Sequence, residues 1–450
     1  MPRPTIAWME VEVKILDVDF QSYACPRCGA ESPRHDGAVR HVIDVGLERA
    51  TVLQIQVGVY KCPRCRNPRS FRTPLDFLKP RRTYVERCRQ KLDEAVSLDQ
   101  LPITLAVQRL DRDFHIRISR STGWVWHQAA APIPAEVAEY QHLVAASFSG
   151  VLCVDEVYDG QYAILCARDP LTNRTLAYEL SETMNQEVVT AFFRKLRDLG
   201  IEPEVVVTDD SNLYPKALKA VWAFVRHQLC RFHWTKNIVQ EVLGGIRNYR
   251  ESLPKPPKRA KRGRPAAREA AAQQQVAASR AARDEVRKGR TLLVTRREHL
   301  DDQRKERLEL LLANHPDLVV VRNFMDEFYG LFNGQPRPKV AKARWQALIG
   351  QPDYTASPIL TGALQILQDE AKFDQVALFL QFENLNSTSN DVERDNRGFR
   401  KAQKTRYRVR SKGSLQALLD RRLIRAGPPT QKVRLRRRVG RPSRIMSQAA

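Results

Sequence analysis

The feature that most constrains the fold is an apolar run that ends on two acids, EVVVTDD at residues 204–210. Consecutive apolar and β-branched residues directly before Asp209 predict a short, buried strand. An earlier segment, GVLCVDEVY at residues 150–158, is likewise apolar up to Asp155. Both segments thus predict a strand whose apolar residues run directly into an acid.

The segments around these strands predict an α/β core. Three strands come first, with the turn-forming DPLTN between the second and the third, and helices and strands then alternate through residues 185–230. The first of these helices is amphipathic and ends at Gly200. Three antiparallel strands followed by alternating helix and strand is the order of the ribonuclease H fold, in which the first and fourth strands are neighbours. This order predicts that Asp155 and Asp209 emerge side by side.

Each of the two acids has an acidic neighbour in the chain. Glu156 follows Asp155, but side chains alternate between the faces of a strand, so Glu156 is expected on the opposite face. Asp210 follows Asp209, and from spacing alone either of these two carboxylates can be the second ligand.

Converging carboxylates predict a metal site, because two like charges repel unless a cation lies between them. Oxygen ligands suit Mg²⁺ (or Mn²⁺), and two such ions about 4 Å apart support an in-line displacement at phosphorus. The candidate third carboxylate is Glu393, in the first turn of a helix predicted to be capped by Ser389 or Asn390. Three basic residues further along this helix are predicted to contact phosphates: Arg394, Arg397 and Arg400.

Two CxxC motifs near the N-terminus predict one structural Zn²⁺ site. The motifs are CPRCG and KCPRCRN, and the residues between them alternate like two or three β-strands that bring the motifs together. Four thiolates fill a tetrahedral zinc site and leave no open position. The alternative is four buried free thiols. The predicted ligands are Cys25, Cys28, Cys62 and Cys65.

Residues 84–130 predict a helical DNA-binding region. Two segments of helical spacing precede a short turn, and Ser119 or Ser121 can cap the helix that follows. Two helices, a turn and a capped polar helix indicate a helix-turn-helix, and the alternative is a small helical connector. The candidate DNA contacts on the last helix are Arg120, Trp124 and His127.

The charge of the chain points to a polyanionic partner. There are 75 Lys and Arg against 51 Asp and Glu, a formal net charge of +24, which favours nucleic acid. No apolar stretch approaches the length of a membrane span, and the N-terminus lacks the apolar core of a signal peptide. We therefore expect a soluble intracellular protein with no membrane partner.

Four motifs together resemble those of bacterial DDE transposases: CVDEVY, VVTDDSNLY, CRFHWTKN and TSNDVERDNR. The chain is similar to ISL3-like enzymes in its paired CxxC motifs and helical region, and to IS256/mutator-like enzymes in its C-x-x-H and S-N-x-x-E-R motifs. The resemblance spans about residues 20–425. It implies a ribonuclease H-like core, divalent-metal-dependent DNA cleavage and strand transfer, and recognition of the terminal inverted repeats of an insertion sequence.

Carried over by position, the resemblance implies the catalytic triad Asp155, Asp209 and Glu393. Asp209 is preferred to Asp210 because an acid five residues before the tyrosine of DDSNLY matches the family pattern. One departure is Arg394, which replaces the glycine that follows the glutamate in ISL3-like enzymes. The resemblance also implies a homodimer or higher oligomer on double-stranded DNA, and a location in the bacterial cytoplasm with the nucleoid.

Cys230 and His233 form the C-x-x-H motif, and three interpretations remain open. The pair can be half of a zinc site, or it can pack at the junction of a strand and a helix. In related enzymes the motif lies close to the metal site, where His233 could orient a phosphate or a water. We predict that Cys230, His233 and Asp210 are adjacent to the site.

The region between the fifth strand and the last catalytic helix is predicted to be a basic linker and an all-helical insertion. One of its helices presents an apolar face formed by Leu318, Val321, Met325, Phe328 and Leu331. Two basic runs, residues 254–268 and 431–444, each carry seven Lys or Arg and no acid. Both contain Gly-Arg-Pro and resemble AT-hooks, with a solvated linker and tail as the alternative. Their candidate minor-groove contacts are Arg262, Arg264 and Arg441.

These predictions divide the chain into five parts. The zinc ribbon is predicted at residues 1–80, the helix-turn-helix at 81–132, and the catalytic core in two pieces at 148–245 and 384–425. The basic linker and helical insertion are predicted at 246–383, and a basic, disordered tail at 426–450. The favoured function is DNA transposition. A transposase-derived regulator would bind DNA without cutting it, and a metal-dependent nuclease of the same fold would cut without joining.

Overall fold

A computed structural model describes residues 12–46, 51–65, 70–78, 82–255, 267–405, 409–425, 427 and 433–438. The chain divides into two compact units. The N-terminal unit contains Met1–Tyr140 and Asp395–Gly427, and the second unit contains Gln141–Arg394 and Pro428–Ala450.

The N-terminal unit begins with a five-stranded sheet. Strand β4 is antiparallel to β3 on one edge, and its other edge pairs first with the parallel strand β1 and then with the short β5. Strand β2 pairs with the start of β3. The residues between the two CxxC motifs therefore form paired β-strands, as predicted. The strands are β1 (Glu12–Val18), β2 (Ser22–Ala24), β3 (Glu31–Asp44), β4 (Thr51–Lys61) and β5 (Ser70–Arg72).

Three helices follow this sheet and share its core. Ile55 and Val57 of β4 belong to one hydrophobic cluster with Leu92 and Ala106 of the helices. The third helix is capped by Ser119, whose hydroxyl accepts a hydrogen bond from the Thr122 amide at 3.1 Å, so the first of the two predicted caps is used. The helices are α1 (Glu86–Ser97), α2 (Ile103–Phe114) and α3 (Arg120–Ala129).

The second unit contains a five-stranded mixed sheet in the order β10-β9-β6-β7-β8. Strands β6, β7 and β8 form an antiparallel meander, and β9 and β10 are parallel to β6. All four residues of β9 are buried, as their apolar composition predicts. The strands are β6 (Val151–Asp159), β7 (Tyr162–Asp169), β8 (Arg174–Ser181), β9 (Val205–Thr208) and β10 (Arg226–Leu229).

Helices accompany this sheet in the predicted alternation. Helix α5 lies between β8 and β9 in the chain, α6 lies between β9 and β10, and α7 follows β10. The Phe193 ring of α5 packs against the Tyr214 ring of α6, with the ring centroids 6.4 Å apart. On the other face, Cys153 and Val207 share a hydrophobic cluster with Trp234 of α7. The helices that accompany the sheet are α5 (Gln186–Asp198), α6 (Tyr214–Val221) and α7 (Arg231–Ser252). Helix α4 (Pro134–Ala146) precedes β6 in the chain and contains the residues at which the two units divide.

From residue 267 to residue 381 the chain consists of helices joined by turns, so this described part of the predicted insertion is helical. The predicted boundary at residues 245 and 246 is displaced, because α7 continues through it to Ser252. The predicted apolar face is confirmed by five buried residues: Leu318, Val321, Met325, Phe328 and Leu331. The helices are α8 (Ala267–Val294), α9 (Asp302–Asn314), α10 (Asp317–Gly330), α11 (Pro338–Gly350), α12 (Pro352–Thr355), α13 (Thr361–Leu367) and α14 (Glu370–Val376).

Two further helices, α15 (Asn390–Thr405) and α16 (Lys412–Arg425), complete the α-helices of the described chain, which also contains 3₁₀ helices at Arg297–His299 and Leu378–Gln381. The sequence predicted that all of residues 384–425 belong to the catalytic core, whereas residues from Asp395 onward cluster with the N-terminal unit. The reason is the buried face of α16. Leu418 lines a pocket together with Trp124 of α3, and Arg425 donates hydrogen bonds to carbonyl oxygens at the end of α1.

Residues 433–438, which we call the C-terminal strap, correct the prediction of a disordered tail. This extended segment exchanges backbone hydrogen bonds with residues 381–383, at 2.9 Å from Glu383 N to Arg436 O and 2.9 Å from Arg438 N to Gln381 O. The Arg437 guanidinium also lies 2.8 Å from Glu204. Basic composition indicated disorder, but backbone pairing of this kind does not depend on the side chains.

None of the helices in the described ranges is long and apolar enough to cross a membrane.

Candidate active site

The register of the two central strands sets the spacing of the predicted aspartates. Strands β6 and β9 are parallel, and their last paired residues are Cys153 and Val207. Asp155 and Asp209 each lie two residues beyond this pair. Because side chains two residues apart share a face of a strand, the two acids lie at the same level and on the same face. Asp209 directly follows β9, as expected, whereas Asp155 lies within β6, which continues to Asp159 through its pairing with β7.

The acidic neighbour of Asp155 faces the other side of the sheet. The Tyr214 hydroxyl of α6 donates a hydrogen bond to Glu156 Oε2. Burial raises the pKa of Glu156 to about 7, although the Tyr214 hydrogen bond opposes the shift, and the charges of Asp209 and Asp155 add to it. Glu156 is thus a half-buried partner of α6, on the face that alternation in the strand predicted.

The acidic neighbour of Asp209 is engaged by the insertion. Lys372 Nζ of α14 lies 2.8 Å from Asp210 Oδ2. Asp209 instead accepts a hydrogen bond from the Ser211 amide at 3.0 Å. Burial raises the pKa of Asp209 despite that hydrogen bond and despite the nearby His233 ring, so this carboxylate is held where its negative charge is poorly solvated.

A short series of contacts brings Glu393 to the same edge of the sheet. The Cys230 amide, just after β10, donates to Thr208 O at 2.8 Å. The Ser389 hydroxyl and amide lie 3.2 and 3.3 Å from Cys230 Sγ. The Glu393 amide then donates to Ser389 O at 3.1 Å. The first turn of α15 is therefore held against the start of α7, beside the end of β9.

Cys230, His233 and Glu393 form a compact cluster at this point. Their candidate ligand atoms all lie within 4.8 Å of one another, and His233 Nε2 is 3.7 Å from Glu393 Oε1. Interaction with the Cys230 thiol raises the pKa of His233 to about 9, against the effect of burial. Burial alone would raise the pKa of Cys230, but its interactions with His233 and Ser389 outweigh burial and lower it.

The predicted phosphate contacts lie on an exposed face of α15. Arg394, Arg397 and Arg400 are exposed and follow one another at intervals of three residues, so they form one stripe along the helix. Arg394 Nη1 is also 3.7 Å from Asp391. The stripe begins directly after Glu393.

The four N-terminal cysteines converge in the N-terminal unit. Sγ of Cys65 lies 3.6 Å from that of Cys28 and 4.0 Å from that of Cys25, and the Cys28–Cys62 separation is 3.5 Å. Thiolates bound 2.3 Å from one tetrahedral zinc are about 3.8 Å apart. The interactions with its neighbours lower the pKa of Cys62 to about 6 although burial opposes them. The cluster can hold one zinc ion.

The three residues predicted to read DNA from α3 differ in exposure. Arg120 is exposed, and Trp124 is 41% exposed. His127 is only 5% exposed, and its Nδ1 lies 2.7 Å from Asp93 Oδ1. The prediction of a DNA contact at His127 is therefore corrected, because this ring holds α3 against α1. Three other predicted contacts lie outside the described residues: Arg262, Arg264 and Arg441.

Two residues that hold the site were not predicted from the sequence: Lys372 and Ser389. Lys372 carries no local signal, because its partner lies in another element. Ser389 was identified only as a possible helix cap, whereas its hydroxyl hydrogen-bonds with the Cys230 thiol. A serine immediately before the helix that carries Glu393 was the available signal for an interaction at this position.

Comparison with protein families decides the identity of the catalytic part. The family model for ISL3-type DDE enzymes, described as a transposase, matches residues 152–410, which is more than half of the chain. The chain belongs to the ISL3 family of DDE transposases. It is a DNA transposase, and the matched region of this transposase contains Asp155, Asp209 and Glu393.

Other comparisons are more distant. The solved Drosophila P element transposase strand transfer complex is similar at a TM-score of 0.38 and 12% sequence identity, over 75% of this chain and 91% of that chain. A likeness at this level does not define a shared fold. No curated protein matches this transposase.

Proposed function

We propose that this transposase cleaves and joins DNA with Asp155, Asp209 and Glu393, carried by a ribonuclease H-like core. The strand order and directions support this fold. An antiparallel meander of three strands is followed by two strands that extend the sheet in parallel from the first strand of the meander, which is the ribonuclease H arrangement. The single observation that carries the proposal is the meeting of four chain segments: β6 just beyond its pairing with β9, the end of β9, the start of α7 and the first turn of α15.

The donor set fits divalent metal ions of the hard, oxygen-preferring class. Asp155 and Asp209 share a face and a level, and burial already raises the pKa of Asp209, so a cation between them would relieve an unfavourable charge. These two acids would hold two Mg²⁺ (or Mn²⁺) ions, and Glu393 would complete one coordination sphere. When bound, two such ions favour attack and departure of oxygens in an in-line displacement at phosphorus.

The remaining residues of the site would position DNA. Arg394, Arg397 and Arg400 provide a positive surface that begins next to Glu393, which suits a phosphate backbone lying across the carboxylates. His233, half-buried between Glu393 and Asp209, would orient a phosphate oxygen. The His233 Nε2 atom lies 3.7 Å from Glu393 Oε1.

The N-terminal unit would recognise the ends of the element. In this proposal one Zn²⁺ at Cys25, Cys28, Cys62 and Cys65 stabilises the ribbon, and α3 reads DNA as part of a helix-turn-helix through its exposed residues Arg120 and Trp124. A homodimer or higher oligomer on terminal inverted repeats and target DNA would pair two ends, each chain contributing one set of carboxylates.

An assay with labelled element ends, target DNA and Mg²⁺ tests the proposal. We expect joined product with the intact chain and none with Glu393→Gln, while both bind the element end with similar affinity. The exposed acid Glu383 provides a matched control, and Glu383→Gln should join normally. Cleavage without joining would instead identify a nuclease, and binding without cleavage a regulator. Full activity in Glu393→Gln would reject the third carboxylate.

A further inference from the structure

We propose that Cys230, His233 and Glu393 form a second metal site, separate from the four-cysteine cluster, that binds Zn²⁺ through one thiolate, one imidazole and one carboxylate. The three ligand atoms already lie within 4.8 Å of one another. Cys230 and His233 are separated by one helical turn at the start of α7, so their side chains share a face, and Glu393 approaches from α15.

The thiol is built into a polar support. Cys230 is 1% exposed, and both the amide and the hydroxyl of Ser389 lie within 3.3 Å of its sulfur. Two donors directed at a buried sulfur favour the thiolate, which is the form that binds metal. Hydrogen bonds of this kind are the outer contacts that orient and tune a metal ligand.

The other two ligands are incompletely satisfied. Among the residues that the structure describes, His233 Nδ1 and Glu393 Oε1 are buried without a hydrogen-bond partner. Their side chains approach to 3.7 Å, which is too long for a hydrogen bond. The 3.7 Å separation joins His233 Nε2 to Glu393 Oε1, and two atoms bound to one tetrahedral ion at 2.0–2.2 Å are separated by roughly 3.3–3.6 Å. One metal ion could therefore bind these two atoms after a small movement, and it would give Glu393 Oε1 the partner that it lacks.

The donor set selects the ion. Thiolate and imidazole prefer Zn²⁺ to Mg²⁺, whereas the carboxylates of Asp155 and Asp209 prefer Mg²⁺. Three protein ligands leave one tetrahedral position open to water or to a phosphate oxygen. The edge of the sheet thus carries a hard-metal site and a soft-metal site that share Glu393.

Sharing Glu393 has a functional consequence that rests on the proposed catalytic triad. Zn²⁺ at this site would withdraw Glu393 from the coordination of Mg²⁺. We therefore expect Zn²⁺ to inhibit DNA cleavage that Mg²⁺ supports.

The first test counts metal. After equilibrium dialysis of the full chain against buffered micromolar Zn²⁺, elemental analysis should find about two ions per chain, and about one in Cys230→Ala and in His233→Ala. Cys88→Ala removes a buried thiol that belongs to neither cluster and should retain two. One ion in the unaltered chain, or two in Cys230→Ala, would overturn the proposal.

The second test separates this site from the catalytic proposal. With Co²⁺ as the probe, subtracting the spectrum of Cys230→Ala from that of the unaltered chain should leave a thiolate-to-metal charge-transfer band. Zn²⁺ should slow Mg²⁺-supported cleavage at least about tenfold in the unaltered chain and less than about twofold in Cys230→Ala, each relative to its own zinc-free rate. Absence of the band would reject the zinc site. If the unaltered chain binds two zinc ions but the Asp209→Asn variant still cleaves DNA, the catalytic assignment is rejected and the zinc site is retained.

Discussion

Lys372 Nζ lies 2.8 Å from Asp210 Oδ2, so a cation supplied by the helical insertion neutralises the acid that directly follows Asp209. The pairing distinguishes two consecutive aspartates that composition cannot separate. Asp210 has a partner of opposite charge, whereas Asp209 lies on the face and at the level of Asp155. The preference for Asp209 as the metal ligand thereby gains a structural reason, and it leads directly to a matched pair of variants.

Replacing Asp209 with Asn should lower the rate of strand cleavage at least about a thousandfold, because it removes a carboxylate that is proposed to hold the metal ions. Asp210→Asn should lower the rate less than about tenfold, since it only removes the partner of Lys372. Single-turnover cleavage of labelled element ends measures both. Equal losses in the two variants would contradict the assignment.

His127→Ala and Trp124→Ala should separate stability from DNA binding in α3. Removing His127 leaves Asp93 without the ring at 2.7 Å and should lower the free energy of unfolding by about 1–3 kcal/mol. Trp124 is 41% exposed, so Trp124→Ala should change stability less and weaken binding to the element end about tenfold. Thermal unfolding and fluorescence anisotropy measure the two effects. A stable His127→Ala chain with weakened DNA binding would restore the original prediction for this residue.

Truncation should show that the C-terminal strap stabilises the second unit. A chain that ends at residue 432 loses the backbone pairing with residues 381–383 and the contact between Arg437 and Glu204. We expect its free energy of unfolding to fall by about 1–3 kcal/mol and hydrogen exchange at residues 381–383 to accelerate. A chain that ends at residue 438 keeps these contacts and is the control. Identical exchange in both truncations would show that the strap contributes nothing.

Neutralising the basic stripe of α15 should weaken DNA binding in a salt-dependent way. Arg397→Ala and Arg400→Ala should each lower the slope of log affinity against log salt concentration by about one, with little dependence on DNA sequence. Arg304, exposed on α9 and 3.5 Å from Asp301, provides a matched control of equal charge change. An unchanged slope in both stripe variants would indicate that this face does not contact phosphates.

Replacing one cysteine of the four-cysteine cluster should destabilise the N-terminal unit, whereas replacing a cysteine outside it should not affect zinc binding. The four cysteine sulfurs lie within 4.8 Å of one another, and as thiolates they would repel one another unless a metal ion bound them. We expect Cys62→Ser to lower the melting temperature of the N-terminal unit and to weaken binding to the element end more than tenfold. Cys166→Ser, a change of the same kind in β7, should leave the zinc of the ribbon in place, as elemental analysis can verify.

Much of the catalytic sheet could be predicted because its signals are local. The apolar residues before Asp155 and Asp209 specify buried strands, and alternation correctly assigns Glu156 to the face of α6. The CxxC spacing likewise anticipated the four-cysteine cluster, because two residues between thiols suit a single turn around a metal.

The predictions that failed depended on contacts between distant parts of the chain. The Arg421 guanidinium donates to His127 O, an interaction that helps join α16 to the N-terminal unit, and no local pattern in either segment indicates it. Basic composition predicted a disordered tail, because many charged side chains favour solvent exposure. Composition does not indicate backbone hydrogen bonds, which the C-terminal strap forms with residues 381–383. His127 illustrates the same limit, since a polar residue on a helix gives no sign of which face is covered.

The aromatic contacts of Trp234 have a practical consequence for the size of the smallest working enzyme. Trp234 is in α7, and its ring centroid lies 5.4 Å from that of Phe328 and 6.4 Å from that of Phe373. Both phenylalanines belong to the insertion. Deleting the insertion to obtain a shorter transposase would therefore expose the buried Trp234 indole and remove the aromatic side chains that pack against it. Any miniaturised version must keep α10 and α14, or replace their rings with other apolar groups of similar volume.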